Sequence, residues 1–389
     1  MKELENCKEI AMIHPERLAE IFTRLVKIDS VSRNEANICN ELQNILEAIG
    51  ADTFIDRAGD AVGGNTGNLI ARFVGNVDAP VMMLCAHMDT VEPGNGIKPQ
   101  FKDGVFTSDG STILGADDKS AIAVLIEVLT TLHEERLPHG PLEVVLTICE
   151  EIGLLGAKHL DINHVKARFG YVLDTTDTTG IVNRAPGANH LEFIVNGKDA
   201  HAGAAPEKGI NAIAIASKAI AGLTLGRIDH ETTCNIGVIQ GGVATNIIPS
   251  QVIVKGEVRS HDSQKLANLT QAIVTAFEAA VRDFRPQSAE AGNPRLKVSV
   301  EPDFACTHIP EDHPVVSLAV KAAQNLGRTL KPRTTGGGAD ANVFFAKGIM
   351  TGVLGTGMRD MHTVRESVKL SDMVEAAELL LEIIRLHSL

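Results

Sequence analysis

Helical and strand-like hydrophobic patterns alternate through the first third of the chain. Apolar residues recur three and four positions apart in "PERLAEIFTRLVKI", "NEANICNELQNILEAIG" and the long segment "DDKSAIAVLIEVLTTLHEE". Short apolar runs of strand length are "NLIARFV", "PVMMLCA", "PLEVVLTIC" and "RFGYVLD". Such alternation predicts an α/β domain in which helices cover both faces of a buried sheet.

The pattern changes from about Gly187 onward. Strand patterns occur in "NHLEFIVNGKDA", "CNIGVIQGG" and "QVIVKGEVRS", while "GINAIAIASKAIAGL" and "SQKLANLTQAIVTAFEAAVRDF" have helical spacing. Two helices and about four strands in this order predict a small α+β unit, with its helices on one face of an antiparallel sheet.

The α/β pattern resumes after "LKVSVEPDFACTHIP". It continues through "HPVVSLAVKAAQNLG" and "MTGVLGTG" to the closing helix "SDMVEAAELLLEIIRLH". A chain of 389 residues also exceeds the roughly 250 to 300 residues at which single cores stop growing. We therefore expect a catalytic domain in two parts, residues 1–185 and 303–389, interrupted by an inserted domain at residues 186–302.

Composition narrows the class of protein. An apolar fraction of 44% with a charged fraction of 22% is typical of a globular protein. The net charge of -13, the absence of Trp and the single Tyr argue against nucleic acid as a partner. Charged residues in "MKELENCKEI" and the lack of an apolar run of about 18 residues argue against a signal peptide and a membrane span. We expect a cytoplasmic protein.

The six cysteines are scattered along the chain without a CxxC spacing. They are Cys7, Cys39, Cys85, Cys149, Cys234 and Cys306. In a long chain this distribution favours reduced, mostly buried thiols over a disulfide framework or a zinc knuckle.

Several candidate metal ligands stand where strands end or helices begin. They are His87 and Asp89 after "VMMLCA", Asp117 before the long helix, Glu150 and Glu151 after "VVLTIC", Asp174 after "GYVL", and His362 in "GMRDMHTVRE". Ligands bind at the carboxyl ends of the strands in open α/β sheets, so these residues are expected to converge. Imidazole mixed with carboxylate suits Zn²⁺, with Co²⁺ or Mn²⁺ as alternatives, and this set suffices for two ions that share one carboxylate.

Each of these features also has an ordinary structural explanation. Asp117 and Asp118 can cap the helix that follows and complement its dipole. Adjacent glutamates can belong to a solvated turn, and a short HxD pattern is weak by itself. The metal interpretation is favoured because all the candidates follow the same structural rule within one domain, and none of the ordinary explanations predicts the others.

Six motifs together resemble a known family. "HMDTV", "GADDKSAIA", "EEIGLLGAK", "VLDTTD", "GGGADANVF" and "MHTVRE" are similar to the successive motifs of the M20 family of dinuclear zinc exopeptidases and deacylases, most closely its peptidase T-like branch. The resemblance runs from about Ile21 to the C-terminus. It implies a zinc-exopeptidase catalytic domain with a mixed sheet flanked by helices, interrupted by a smaller, ferredoxin-like α+β domain that serves as a dimerisation or lid domain.

The resemblance also implies a ligand set. Two zinc ions per subunit would share Asp117. The remaining ligands would be His87 and Asp174 in one site, and Glu151 and His362 in the other. The family often has a non-proline cis peptide after the bridging aspartate, which here is the bond from Asp117 to Asp118.

A catalytic role is implied for Glu150. It would act as the general base that deprotonates a water between the zinc ions, so that the zinc-bridging hydroxide attacks the peptide carbonyl. Asp89 would hold the imidazole of His87 by a hydrogen bond to its free nitrogen, because the two side chains of "HMD" lie on the same side of an extended segment.

The inserted domain and the loop that follows it offer candidate substrate-binding residues. His201 resembles the family histidine that reaches toward the scissile carbonyl, often from a partner subunit, and Arg259 resembles the arginine that binds a substrate carboxylate. Asn246 matches a further position near the substrate. Gly337 and Gly338 lie in a loop whose backbone N–H groups can bind a carboxylate. The alternatives are that His201 and Arg259 are ordinary surface residues and that Asn246, Gly337 and Gly338 only form turns.

One segment departs from the family pattern. After Asp174 comes "TTDTTG", where a Gly-containing turn is common in the family. The ligand itself is retained, the loop after it is expected to depart from the family's shape, and Asp177 is not expected to replace Asp174.

The expected function is that of an exopeptidase on short peptides, with the branch resemblance favouring an aminopeptidase that releases N-terminal residues from tripeptides. A carboxypeptidase or an N-acyl-amino-acid deacylase would need the same metal site and stays open as an alternative. A noncatalytic dimeric scaffold would have lost a ligand or the base, and this chain has lost none. A homodimer through the inserted domain is expected from the family.

Overall fold

The computed structural model describes residues 13–389, so that Cys7 lies outside the described part of the chain. The chain forms two compact units. The first contains the residues up to Asn183, His308–Thr334 and Ala339–Leu389, and the second contains Arg184–Thr307 and Thr335–Gly338. The limits expected from the sequence, with an insertion at 186–302, stay a prediction.

Ten α-helices and seventeen strands are formed by the described residues. The helices are α1 (Pro15–Val26), α2 (Ala36–Ala48), α3 (Ala58–Val62), α4 (Ala116–Glu134), α5 (Leu155–His159), α6 (Ala212–Ala221), α7 (Ser263–Arg282), α8 (Pro314–Asn325), α9 (Asp340–Ala346) and α10 (Leu370–His387). The strands are β1 (Asp52–Ile55), β2 (Leu69–Phe73), β3 (Met82–His87), β4 (Gln100–Lys102), β5 (Val105–Thr107), β6 (Leu142–Thr147), β7 (Phe169–Leu173), β8 (Gly180–Ala185), β9 (Gly187–Asn196), β10 (Gly226–Arg227), β11 (Thr232–Gly241), β12 (Gln251–Ser260), β13 (Arg295–Phe304), β14 (Thr307–His308), β15 (Lys331–Thr334), β16 (Met350–Leu354) and β17 (Ser367–Lys369).

The large sheet is mixed. Its order is β1-β2-β6-β3-β7-β16-β8-β14, with β15 paired to β8. The central strands β6, β3, β7 and β16 are mutually parallel, whereas β2 and β8 pair antiparallel with the strands beside them. The predicted α/β fold with a mixed sheet flanked by helices is therefore confirmed.

Both faces of the central strands are buried. Met82, Leu84 and Ala86 of β3 join the core cluster that includes residues of α1, α4 and α10. Met83 and Cys85 point to the opposite face and are fully buried as well. This explains why these strands are continuous apolar runs instead of alternating patterns.

A three-stranded sheet, ordered β17-β5-β4, completes the first unit. The ring of Phe106 in β5 packs edge-on against Phe22 of α1, with 4.9 Å between ring centroids. Each of these strands has only three residues. Strands this short are below the length at which hydrophobic alternation becomes informative, and the sequence pattern did not predict them.

The second unit is an antiparallel sheet with two helices. The sheet order is β10-β11-β12-β9-β13. Apart from the two-residue strand β10 between α6 and β11, the elements β9, α6, β11, β12, α7 and β13 follow the strand-helix-strand-strand-helix-strand order of the ferredoxin-like fold, as expected. Phe193 of β9 stacks on Phe277 of α7, with ring centroids 3.9 Å apart, so aromatic burial joins helix to sheet.

The cysteines of the described residues are free thiols. Cys39, Cys85, Cys149 and Cys234 are buried, and Cys306 is partly exposed. The prediction of mostly buried thiols is confirmed for these five positions. None of the helices formed by residues 13–389 has the length and apolar character needed to span a bilayer.

Candidate metal centre

The candidate ligands lie at one edge of the large sheet. β3 ends at His87, β6 ends three residues before Glu150, and β7 ends immediately before Asp174. Because β3 lies between β6 and β7 and all three are parallel, their carboxyl ends meet at the same edge. The sequence-based expectation that these side chains converge is met by the fold.

The five side chains form two groups that share one residue. His87, Asp117 and Asp174 form one group and Asp117, Glu151 and His362 form the other, with the ligand atoms of each group within 4.8 Å of one another. Asp117 Oδ1 lies 3.0 Å from His87 Nε2, and Asp117 Oδ2 lies 3.2 Å from His362 Nε2. The two oxygens of Asp117 therefore face different groups.

These donor sets fit a pair of divalent metal ions. Each group offers one imidazole nitrogen and two carboxylates, which is a mixture that Zn²⁺ accepts and that Mg²⁺ or Ca²⁺ would not select. His362 Nε2 is also 3.0 Å from a Glu151 carboxylate oxygen, so the second group is already compact. Asp117, Glu151 and His87 are largely buried, while His362 remains 51% exposed on its side chain.

The protonation equilibria of the ligands reflect this crowding of carboxylates. Burial and the nearby charge of Asp117 raise the pKa of Asp174 to about 7. Hydrogen bonds to Asp117 and Glu151 raise the pKa of His362 to about 10. Burial opposes ionisation of Asp117, but hydrogen bonds with His362 and His87 still hold the pKa of Asp117 below its usual value. Divalent cations would favour the ionised carboxylates and the neutral imidazoles.

Asp89 contacts both His87 and the turn that carries Glu150 and Glu151. The Nδ1 atom of His87 lies 2.9 Å from the main-chain carbonyl oxygen of Asp89 and 3.4 Å from its carboxylate. The carboxylate of Asp89 accepts hydrogen bonds from Ser32 Oγ and from the backbone N–H groups of Glu150 and Glu151. Nδ1 of His87 is therefore turned toward Asp89 and Nε2 toward Asp117, while Asp89 also fixes the turn that carries the two glutamates.

Glu150 and Glu151 diverge at a tight turn. Cys149 before them has a φ of 52°, in the left-handed region that non-glycine residues seldom adopt. Glu151 joins the second ligand group, whereas Glu150 belongs to neither group and is only 9% exposed. Burial, aided by the charges of Asp174 and Asp340, raises the pKa of Glu150 well above its usual value. A buried carboxyl that is not a ligand is suited to accept and return a proton.

The backbone around Asp117 is irregular. Its φ and ψ and those of Asp118 are non-helical within the first turn of α4, and the peptide bond between them is cis, as the family resemblance implied. The carboxylate of Asp118 accepts a hydrogen bond from the backbone N–H of His87. Neither aspartate acts as a side-chain cap for the helix.

Three buried carboxylates near the centre were not singled out from the sequence. Glu35 accepts hydrogen bonds from the backbone N–H and the thiol of Cys149, Asp340 accepts one from Thr147 Oγ1, and Glu366 accepts three from backbone N–H groups at residues 114, 115 and 117. Burial raises the pKa of Asp340 to about 6 and that of Glu366 to about 7. Asp340 and Glu366 lie within motifs already noted, "GGGADANVF" and "MHTVRE", which was the available signal.

The loop "TTDTTG", which departs from the family pattern, is held by hydrogen bonds and an ion pair of Asp177. Asp177 accepts hydrogen bonds from the backbone and hydroxyl of Thr179, and its other oxygen lies 2.9 Å from Arg333 Nε. Asp177 is thus engaged in a turn and an ion pair, and the ligand group contains Asp174 instead.

Two predicted substrate residues in the second unit lie together. The backbone N–H of Ala202 donates to the carbonyl of Asn246, and a β-bridge joins His201 to Ile247. Nδ1 of His201 accepts hydrogen bonds from the N–H groups of Gly203 and Ala204. Both His201 and Asn246 are exposed.

The remaining candidates form a second group in the same unit. The guanidinium of Arg259 donates to the carbonyl of Gly336 at 3.2 Å and to Glu257 at 3.1 Å. Gly337 donates its N–H to Thr335 Oγ1, and the ring of Phe304 lies so close to Gly338 that a Cβ there would approach it to 2.4 Å. The glycine at 338 is therefore required by the close approach of the ring, and the roles of Arg259, Gly337 and Gly338 toward a substrate stay predictions.

Sequence comparison shows what the chain resembles. The family profile described as "Peptidase family M20/M25/M40" matches residues 83–386. An uncharacterized protein, YqjE, of Bacillus subtilis (strain 168) is 41% identical over 374 residues, which are 96% of this chain and 99% of that protein.

Two solved structures are similar over nearly their whole length. The aminopeptidase PepT from Bacillus cereus ATCC 10987 has a TM-score of 0.89 and 40% identity, covering 97% of this chain and 100% of that one. A tripeptidase from Staphylococcus aureus subsp. aureus Mu50 has a TM-score of 0.90 and 36% identity, covering 97% of this chain and 99% of that one.

Proposed function

The chain belongs to peptidase family M20/M25/M40, and from this premise we propose that it is a zinc-dependent aminopeptidase that releases the N-terminal residue from tripeptides. The proposal is supported by its similarity, at 40% and 36% identity, to an aminopeptidase and to a tripeptidase of matching length. The YqjE relative supports the family but adds nothing on the substrate.

One observation of the site carries the proposal. The two carboxylate oxygens of Asp117 face His87 on one side and His362 on the other, at 3.0 and 3.2 Å. A carboxylate divided in this way is suited to bridge two metal ions, and each ion would then have one histidine and one further carboxylate from Asp174 or Glu151.

We propose Zn²⁺ as the native metal, with Co²⁺ or Mn²⁺ as functional substitutes, because nitrogen and oxygen donors are mixed in both groups. Two bound zinc ions would supply Lewis acidity, lowering the pKa of water and polarising the scissile carbonyl. Asp89 would keep His87 in one orientation through its contact with Nδ1, so that Nε2 stays available as a ligand.

Glu150 would move the proton. Its carboxylate would accept a proton from the attacking water, and its acid form would then donate that proton to the nitrogen of the leaving peptide. Burial raises the pKa of Glu150, which makes its carboxylate a stronger base than an exposed glutamate. The neighbouring Glu151 would be held as a ligand, so the two adjacent glutamates have different tasks.

Recognition of the peptide is assigned to the second unit. Arg259 would bind the substrate carboxylate, because a planar guanidinium forms paired hydrogen bonds with that group. His201 would stabilise the developing negative charge on the carbonyl oxygen, and Asn246 beside it would contact the substrate. Backbone N–H groups of the loop that contains Gly337 and Gly338, next to Arg259, would help to bind a substrate carboxylate.

We also propose a homodimer formed through the second unit. β11 pairs along its length with β12, but on its other edge β10 pairs only with Thr233 and Cys234. Beyond that point Val238 and Ile239 are 48% and 53% exposed in the described structure. An open strand edge with exposed apolar side chains favours pairing with a second chain. Light scattering should give a mass near two chains, and a mass near one chain would contradict the dimer.

A cytoplasmic location is proposed as well. The five cysteines of the described residues are free thiols, which fits a reducing compartment. Fractionation of the native host with immunodetection of the protein tests this proposal, and recovery outside the cytoplasmic fraction would contradict it.

The substrate proposal is tested with a peptide panel. Zinc-loaded protein is incubated with free, N-acetylated and C-amidated di-, tri- and tetrapeptides, and the products are identified by mass spectrometry. We expect cleavage after the first residue of free tripeptides and no cleavage of their N-acetylated forms. Cleavage only of N-acylated substrates would indicate a deacylase, and release of the C-terminal residue would indicate a carboxypeptidase.

A further inference from the structure

The carboxylate of Glu366 is buried against the turn that precedes the bridging aspartate. Glu366 is only 1% exposed. One oxygen accepts hydrogen bonds from the backbone N–H groups of Leu114 and Gly115, each at 2.8 Å, and the other accepts one from the N–H of Asp117 at 2.9 Å. Three backbone donors of one turn therefore converge on one side chain from a segment about 250 residues away.

Glu366 also belongs to the loop that carries His362. Two backbone hydrogen bonds between Arg359 and Ser367 close this loop at its base. Within it, Thr363 Oγ1 donates to the carbonyl of Asp360, and His362 at the far side has a φ of 61°. Glu366 is adjacent to Ser367, one of the two residues whose hydrogen bonds close the loop. The backbone position from which its side chain extends is therefore fixed.

We infer that Glu366 is a positioning residue that sets the separation between Asp117 and His362. These two side chains come from distant parts of the chain, yet His362 Nε2 lies 3.2 Å from Asp117 Oδ2. The carboxylate of Glu366 links the turn before Asp117 to the loop that carries His362. It would act through the two ligands and not by contacting the metal or the substrate. The inference rests on the proposed metal site.

A purely structural role makes a different prediction, and Glu143 provides the comparison. Glu143 is also buried, and its carboxylate accepts hydrogen bonds from the backbone N–H groups of Lys166 and Ala167 at 2.8 and 2.9 Å. It lies near the start of β6, whereas Glu150 follows the end of that strand. Loss of its charge should lower stability without reaching the ligands.

The test compares Glu366→Gln with the matched control Glu143→Gln. A glutamine amide offers one oxygen and one NH₂ group. If its oxygen faces the N–H groups of residues 114 and 115, its NH₂ faces the N–H of Asp117 and that hydrogen bond is lost. The opposite orientation loses the other two hydrogen bonds. Either way, the substitution disturbs the turn before the bridging carboxylate with almost no change in volume.

Metal binding is measured without reference to activity. Metal-free protein is titrated with Zn²⁺ against a chromophoric chelator, and with Co²⁺ while visible absorption is recorded. For Glu366→Gln we expect the larger of the two zinc dissociation constants, which describes the weaker site, to rise roughly 10- to 100-fold. A loss of this size is typical when a group supporting a ligand is removed. The Co²⁺ spectrum should change as well. Glu143→Gln should melt at a lower temperature and keep the zinc constants of the parent.

Each outcome decides a separate question. If Glu366→Gln melts lower but binds Zn²⁺ and Co²⁺ as the parent does, Glu366 only supports the fold and the inference is wrong. If the parent itself binds no zinc, the proposed function fails first. Should Glu366→Gln not fold, Glu366→Asp takes its place, because a carboxylate one methylene shorter cannot hold both segments at the same separation, and the same weakening is expected.

Discussion

At the scale of single residues, the two adjacent glutamates show how position separates chemically identical groups. Glu151 lies within 3.0 Å of His362 Nε2, in the second ligand group. Glu150, one residue earlier, is turned into a buried position outside both groups, and its backbone N–H is held by Asp89. The repulsion expected between adjacent charges is offset if one is bound to metal and the other exchanges a proton.

The first prediction tests this division. Glu150→Ala should lower the turnover of a free tripeptide by at least roughly 100-fold, because the proton acceptor is removed. Its zinc content should stay that of the parent. Glu151→Ala is the matched variant and should lose about one of the two zinc ions, because Glu151 belongs to one group only. Elemental analysis and a peptide assay on the same samples check both, and loss of zinc from Glu150→Ala would show that the two roles are assigned wrongly.

The second prediction concerns the shared ligand. Asp117→Asn should leave neither site able to retain zinc through desalting, because Asp117 belongs to both groups. His362→Ala should retain about one ion per chain, since it belongs to one group only. Elemental analysis with protein quantification gives the stoichiometry. Equal loss in the two variants would argue against a bridging role for Asp117.

His87, Glu151 and Asp174 could be selected from the sequence as candidate ligands because each follows an apolar run typical of a buried strand. His87 and Asp174 stand directly at the ends of β3 and β7, where topology brings them together. Glu366 and Asp340 could not be predicted in the same way, because their partners are a backbone turn and a hydroxyl that come near only in the folded chain. Supporting residues of this kind have no local signature.

At the scale of elements, long periodic segments were predictable and short ones were not. The helical spacing in α7 and α10 is clear over 20 and 18 residues, and both helices are present. α5 has five residues and β17 has three, too few for periodicity to be distinguished from chance. Their structure depends on tertiary contacts, such as the hydrogen bonds from Lys347 Nζ to the carbonyls of Ala157 and Leu160 around α5.

The third prediction tests how α7 is held on its sheet. Phe277 is 1% exposed and stacks on Phe193, so Phe277→Ala should cost about 3–5 kcal/mol of folding free energy, as is usual for loss of a buried aromatic side chain. Urea unfolding followed by circular dichroism measures the change. Glu278→Ala, one position along on the exposed face, is the control and should have little effect. A small effect of Phe277→Ala would show that the ring stack is dispensable.

At the scale of the whole molecule, the chain forms two compact units. The domain limits that the hydrophobic pattern indicates, near Gly187 and after residue 302, stay predictions. One detail did not follow from the pattern: the four residues Thr335–Gly338 group with the second unit, although they lie far along the chain. The fit of Gly338 against Phe304 explains this grouping, and no periodic signal in "TTGGGADANVF" could have indicated it.

The central claim is that this chain is a dinuclear zinc aminopeptidase, and one titration tests it most directly. Metal-free protein is supplied with increasing zinc, and release of the N-terminal residue from a free tripeptide is followed by mass spectrometry. We predict no release without metal, and a rise in rate that levels off at about two zinc ions per chain, as the two ligand groups require. Release that is independent of zinc, or release of the C-terminal residue instead, would contradict the claim.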